Sequence, residues 1–184
     1  MQLGSVFTWN SFPSREEGKE KNRYFVYFGE SHYPDNPVKV FLITTTSRIY
    51  HYEEEGARKS HNYCRFSAGS FGFIEDSILD LDSYYDIDKK VFEKYKEDIE
   101  EKGQLPEPIL KNIYNLILKS KNISMKVKQD IHYNYNLEDI PGLKNLRENN
   151  GTESNSMVYF LLNNYPKRRK REEQESLFFT KQGR

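Results

Sequence analysis

The chain is poor in cysteine. A single one, Cys64, excludes an internal disulfide framework and fits a reducing compartment. Long apolar runs are missing too: none approaches the ~18 residues of a membrane-spanning helix. The opening MQLGSVFTW carries neither a charged n-region nor a hydrophobic h-region, so no secretory signal is expected. These absences predict a cytoplasmic protein without a membrane partner. Neither sign of charge is in excess, with 28 Lys and Arg against 28 Asp and Glu, so affinity for a polyanion must come from a local patch. There is no Walker A glycine loop, no dinucleotide fingerprint and no H-E-x-x-H, so nucleotide and zincin chemistry lack a motif. Only four histidines are present. His51, His61 and Cys64 are too few and too ordinary in context for a zinc site, and no metal or cofactor is expected.

Aromatic residues are what the chain has in quantity: fourteen Tyr and twelve Phe. Large rings let a chain that is only 36% hydrophobic fill a small core. The first 85 residues read as short strands rich in β-branched and aromatic residues. Val6 to Trp9, Tyr24 to Phe28 and Val38 to Thr45 are the first three, with a Pro34-Asp35-Asn36-Pro37 turn before the third. Ile49 to Tyr52 and Tyr63 to Phe66 are expected to form a hairpin around Glu53 to Gly56. In Ile78 to Asp82, parity puts Ile78, Asp80 and Asp82 on one face, a pattern that ordinarily faces solvent. Closely spaced strands suggest a small barrel or sandwich.

From Asp86 the spacing changes. Ile87, Val91, Phe92, Tyr95 and Ile99 predict an amphipathic helix stopped at Gly103. A second helix follows Pro106 and Pro108, which suit a first turn, and runs to about Asn122. MKVKQDIHYNYN does not declare itself. The expected organisation is therefore mainly β with C-terminal helices: a domain over 1–122, an extension over 123–148, and a flexible polar tail over 149–184. The tail carries a basic cluster, Lys167, Arg168, Arg169, Lys170 and Arg171, able to bind a polyanion.

The candidate chemistry begins at EEGKEKNRYFVYFG. Arg23 stands at the lip of the most strand-like segment. It is either a solvated edge residue or a phosphate grip, since a guanidinium stays charged and binds phosphate through two donors. Thr44 and Thr45 close another strand with hydroxyl donors, and Asp82 is a carboxylate that burial could turn into a base. Metal-free RNA cleavage needs little more: a base for the 2′-hydroxyl, a cation and donors for the phosphorane, and an acid for the leaving oxygen.

The order of these parts resembles the MazF/PemK/Kid family of bacterial toxin endoribonucleases. The segments carrying it are GSVFTWNSF, EEGKEKNRYFVYFG, VKVFLITTTS, EDSILDLDSYYDID and GQLPEPILKNIYNLILKS. The resemblance implies a small SH3-like β-barrel with a C-terminal helix, so that the expected fold is such a barrel followed by the two helices and the basic tail. It also implies sequence-specific, metal-independent cleavage of single-stranded RNA by a homodimer, silenced by a cognate antitoxin protein. Arg23 falls on the family's catalytic arginine, Thr44 or Thr45 on its threonine, and Asp82 on the carboxylate of Kid-like members. Lys19 and Lys21 would add phosphate contacts, and Tyr24, Phe25 or Trp9 could stack a base unless they are core. Tyr24 stands where the family has proline, Asp80 where Kid-like members have a cation, Ser83 where they have glutamine, and their loop histidine falls near Glu17. These departures leave open a barrel that binds nucleic acid or protein without cutting.

Overall fold

Strand-forming residues at alternate positions let one sheet bury both of its faces. The structure, a computed structural model, describes residues 1–13, 20–32, 36–144 and 146. Among these, seven strands form one curled antiparallel sheet: β1 (Ser5–Pro13), β2 (Glu20–Glu30), β3 (Lys39–Thr46), β4 (Tyr63–Phe66), β5 (Ser77–Asp80), β6 (Tyr85–Asp88) and β7 (Ile99–Gln104). The order is β4-β5-β3-β2-β1-β7. Strand β3 is shared. Its first half, Lys39 to Leu42, pairs with β6, and its end, Thr45 and Thr46, pairs with β5. Switching partners part-way along one strand makes the sheet curl into a half-barrel.

The two sheet faces bury two clusters. Val26, Phe28, Phe41, Ile43, Leu79 and Leu81 point into the larger core. Phe7, Trp9, Phe25, Val40 and Leu42 point the other way into an aromatic cluster. Helices α2 (Glu107–Lys119) and α3 (Met125–Leu137) cover the first face. As expected, Pro106 and Pro108 open α2, and Leu110, Ile113, Tyr114, Ile117 and Leu118 form its buried stripe. It ends at Ser120 rather than Asn122. There the Lys128 ammonium, buried on α3, donates to the Leu118 carbonyl at 3.0 Å and to that of Ser120 at 2.5 Å, satisfying carbonyls the helix end leaves open.

The segment that did not declare itself, MKVKQDIHYNYN, is helical. Ser124 caps it through the Val127 N–H, and Val127, Ile131 and Tyr135 enter the larger core, so residues 123–144 extend the same core. Docking is specific at Gly29. There φ is +105°, the β2–β3 register slips, and a Cβ would strike the Asn134 side chain. Into that gap the Asn134 amide accepts from Glu30 N–H and donates to Glu30 C=O at 2.8 Å.

Two expectations fail. The predicted helix from Ile87 to Gly103 is instead β6, a six-residue helix α1 (Lys89–Lys94), a 3-10 turn and β7. The edges of β3 and β1 need strand partners, and Ile87, Phe92, Tyr95 and Ile99 all reach the aromatic cluster from these different elements. Tertiary pairing thus overrides a helical period. The predicted hairpin fails because Ile49–Tyr52 is a 3-10 helix and β4 pairs with β5. Lys19, the Pro34-Asp35 half of the predicted turn, and the tail with Lys167, Arg168, Arg169, Lys170 and Arg171 lie outside the described residues. Among the described residues no helix is long and apolar enough to cross a membrane.

Candidate active site

Strand β5 lies between β3 and β4, and all four of its residues are buried. Leu79 faces the larger core, so Asp80 faces the other side, where the 49–62 segment roofs it. Asp80 is 1% exposed, which corrects the expectation of a solvated acidic face. A carboxylate is buried at heavy cost unless donors surround it. Four do. Tyr52 hydroxyl donates at 2.9 Å, Arg58 Nη1 at 3.0 Å, and the Asp82 backbone N–H at 3.1 Å. His61 Nδ1 lies 3.0 and 3.1 Å from the two carboxylate oxygens.

The local chain explains how these groups arrive together. The 3-10 turn ends on buried Tyr52. Glu53 to Gly56 then reverses direction, with Gly56 so close to the His51 carbonyl that a Cβ would lie 2.2 Å from its oxygen. Arg58 N–H returns to the same carbonyl at 2.7 Å, and His61 N–H to Arg58 C=O at 3.0 Å. Tyr52, Arg58 and His61 therefore descend on Asp80 from one folded loop.

The electrostatics follow. Burial, outweighing its bond from Arg58, pushes the Tyr52 phenol up to about 12, so it stays protonated and remains a donor. The bond with Tyr52, ahead of the nearby Asp80 charge, raises the Arg58 guanidinium further. With Nδ1 turned to a carboxylate, the His61 ring donates there and keeps Nε2 as the basic nitrogen. The His61 side chain is 26% exposed and that of Arg58 48%, so both reach solvent from a buried anchor. An imidazole oriented by a carboxylate, beside a guanidinium, is equipped to take a proton from a hydroxyl next to a bound anion.

The residues singled out from sequence distribute unevenly. Thr44 and Arg23 have the parity of Phe25, opposite Thr44 in the register, and Thr44 has that of Asp80, one step from the Thr45–Leu79 pair. Arg23, Thr44 and Asp80 thus share one face across β2, β3 and β5. Thr45 has the opposite parity, on the side of Leu79, which separates the two threonines that sequence alone left ambiguous. The Thr44 hydroxyl donates to Tyr24 C=O at 3.3 Å. Asp82 is half-buried and clamps the loop, accepting from Asn62 N–H at 2.7 Å and from the Asn62 amide. Its charge also acts on Lys128, whose pKa burial lowers.

Trp9 is removed from the RNA-contacting set. It is 1% exposed and packs edge-on against Phe12 and Phe92, its ring closed off by the aromatic cluster. Tyr24 is half-buried against the larger core, 5.9 Å from Phe73. Lys21 is exposed on β2. Among the described residues no three His, Cys, Asp or Glu side chains gather as a metal site. Cys64 turns into the larger core, while His61 turns to Asp80. The chain matches no family profile and no curated protein.

Sequence reasoning missed Arg58 and Tyr52 and weighed His61 only as a zinc ligand. The one available signal was Asp80 itself: an acid within a run of Ile and Leu on a strand, which calls for partners.

Proposed function

We propose that the protein is a metal-independent endoribonuclease acting on single-stranded RNA, built on an SH3-like barrel of the MazF/PemK/Kid kind. The observation that carries this reading is the Asp80–His61 pair with Arg58 at its side, on the sheet face that also bears Arg23 and Thr44. The base is His61 rather than Asp82, whose oxygens are occupied by Asn62. His61 Nε2 takes the 2′-hydroxyl proton. The freed oxygen bonds to phosphorus, the bond to the 5′-oxygen breaks, and that oxygen takes a proton from a water, whose hydroxide recovers the proton held by the imidazolium. A 2′,3′-cyclic phosphate and a 5′-hydroxyl result. Arg58 and Arg23 offset the phosphorane charge, and Asp80 holds the imidazolium once it forms. The resemblance also supports a cytoplasmic homodimer held inactive by an antitoxin protein.

The test is incubation of the protein with mixed single-stranded RNA in EDTA, followed by mass analysis of the ends. Cyclic phosphate ends are expected, and His61→Ala should slow their formation about 100-fold or more. Undiminished cleavage by that variant, or intact RNA from the folded wild type, overturns the proposal. The second outcome, with RNA still bound, moves the reading to a binding module. One observation favours that alternative: Asp80 has four donors and would brace the loop whether or not any bond is cut.

A further inference from the structure

Strand β4 ends the sheet among the described residues. Its alternate residues differ sharply. Cys64 and Phe66 point into the larger core. Tyr63 and Arg65 point to the other face, the face of Asp80, because Tyr63 pairs directly with Asp80 in the register. His61, Tyr63 and Arg65 thus follow one another along one side of the chain, spaced about 7 Å apart where the strand is extended. The imidazole comes first, a ring second and a guanidinium third.

The ring is available and well supported. Tyr63 is 38% exposed, whereas the other large aromatics of the strands are buried or half-buried. It leans edge-on against Tyr52, with centroids 5.3 Å apart, and Tyr52 is pinned by its hydroxyl to Asp80. A ring fixed on a rigid neighbour loses little freedom when something stacks on it. Arg65 is paired with Asp76 at 3.1 Å, both side chains about half exposed. Such a surface pair is weak, and a phosphate can take the place of Asp76.

We infer that this side of β4 is a one-nucleotide platform beside the reacting phosphate: Tyr63 stacks the neighbouring base and Arg65 takes the next phosphate. The inference rests on the ribonuclease reading for which phosphate is cut, and its occupant is a single strand. Duplex bases are already stacked on each other, whereas an unpaired base has a free face for an aromatic ring. Two cations stand near the ring, Arg58 bonded to the Tyr52 on which it leans and Arg65 two residues along the strand, as a base has a phosphate before and after it. The same loop carries Glu53, Glu54 and Glu55, so recognition depends on this local placement and not on net charge.

The probe is a short 2′-O-methyl single-stranded RNA, which lacks the attacking hydroxyl and stays intact, with binding followed by fluorescence anisotropy. Tyr63→Ala should weaken binding about tenfold or more, and Tyr63→Phe should keep it, since a stack needs the ring and not the hydroxyl. An abasic residue at one position should weaken the wild type by a similar factor and leave Tyr63→Ala no weaker. Arg65→Ala should lower the salt dependence by about one phosphate contact. Wild-type affinity in Tyr63→Ala, or abasic and Tyr63→Ala losses that multiply at every position, would overturn the platform. The readout needs no catalysis, so the two readings fail separately. Cleavage with Tyr63-independent binding, or with no binding of the probe, sinks the platform alone, Tyr63-dependent binding without cleavage sinks the nuclease alone, and neither binding nor cleavage sinks both.

Discussion

One face of the sheet carries two unlike regions. Over β1 and β2 it is dry: Phe7, Trp9, Phe12 and Phe25 interlock with Phe92, Tyr85 and Tyr95 at centroid distances of 4.8 to 6.3 Å. Over β5 the same face buries a carboxylate and surrounds it with donors. Within the aromatic cluster the Trp9 indole N–H is buried with no hydrogen-bond acceptor among the described residues. The second region has both oxygens of its anion engaged, and two of their partners, Arg58 and His61, reach solvent. Non-directional packing supplies stability in the first. Directional bonds in the second fix three side chains in one geometry, at a desolvation cost that leaves little net stability. The proposed chemistry belongs to the second.

The largest effect should come from breaking the dry half. Trp9→Ala should cost about 3–5 kcal/mol in a denaturant titration, the usual loss for a large buried ring. Trp9→Phe should recover much of this, because it also removes the unpaired donor. If Trp9→Ala cost under about 1 kcal/mol, the cluster would not be core. Next comes the polar half. Asp80→Asn keeps the shape but loses the charge, and should cost only about 1–3 kcal/mol. Its RNA cleavage should nevertheless fall nearly as far as that of His61→Ala, because an amide can hold the imidazole in the wrong tautomer and offers its imidazolium no countercharge. Full cleavage at reduced stability would make Asp80 a brace and nothing more.

The smallest effect is a pH window. Burial pushes the Cys64 thiol up to about 11 from 9.0, and the Tyr52 phenol up to about 12 from 10.0. Both are held neutral in the fold and ionise first in the unfolded chain. Their stabilisation is therefore complete below pH 9 and lost as pH rises from 9 towards 12. Denaturation midpoints read from the fluorescence of the single tryptophan should fall across that window, and Cys64→Ala should flatten the 9-to-10 portion. A flat wild-type profile would contradict the burial of both groups.

Local chemistry made part of this legible in advance. Phe25, Val26, Phe41 and Ile43 lie in strands that β-branched and aromatic content announces, and the Pro106–Pro108 start of α2 needs no tertiary help. Arg23 and Thr44 were legible as residues but not as neighbours. Thr45 could not be separated from Thr44, because only the partner strand tells which hydroxyl faces which side. Asp80 was read as a solvated acid because a D-x-D alternation hides the fact that β5 is an interior strand.

By itself the sequence determined the strand-forming first half, the proline-opened helix α2 and an aromatic-heavy core, since these depend on residues close together in the chain. Tertiary structure decided the rest. Pairing turned a helical period at Ile87 to Gly103 into two strands flanking a short helix. The loop from Ile49 to Asn62 brought Tyr52, Arg58 and His61 to a carboxylate 19 or more residues away. The physical reason is the same in both cases: unpaired strand edges and a buried charge are satisfied only by partners distant in sequence, and no local propensity encodes where those partners will lie.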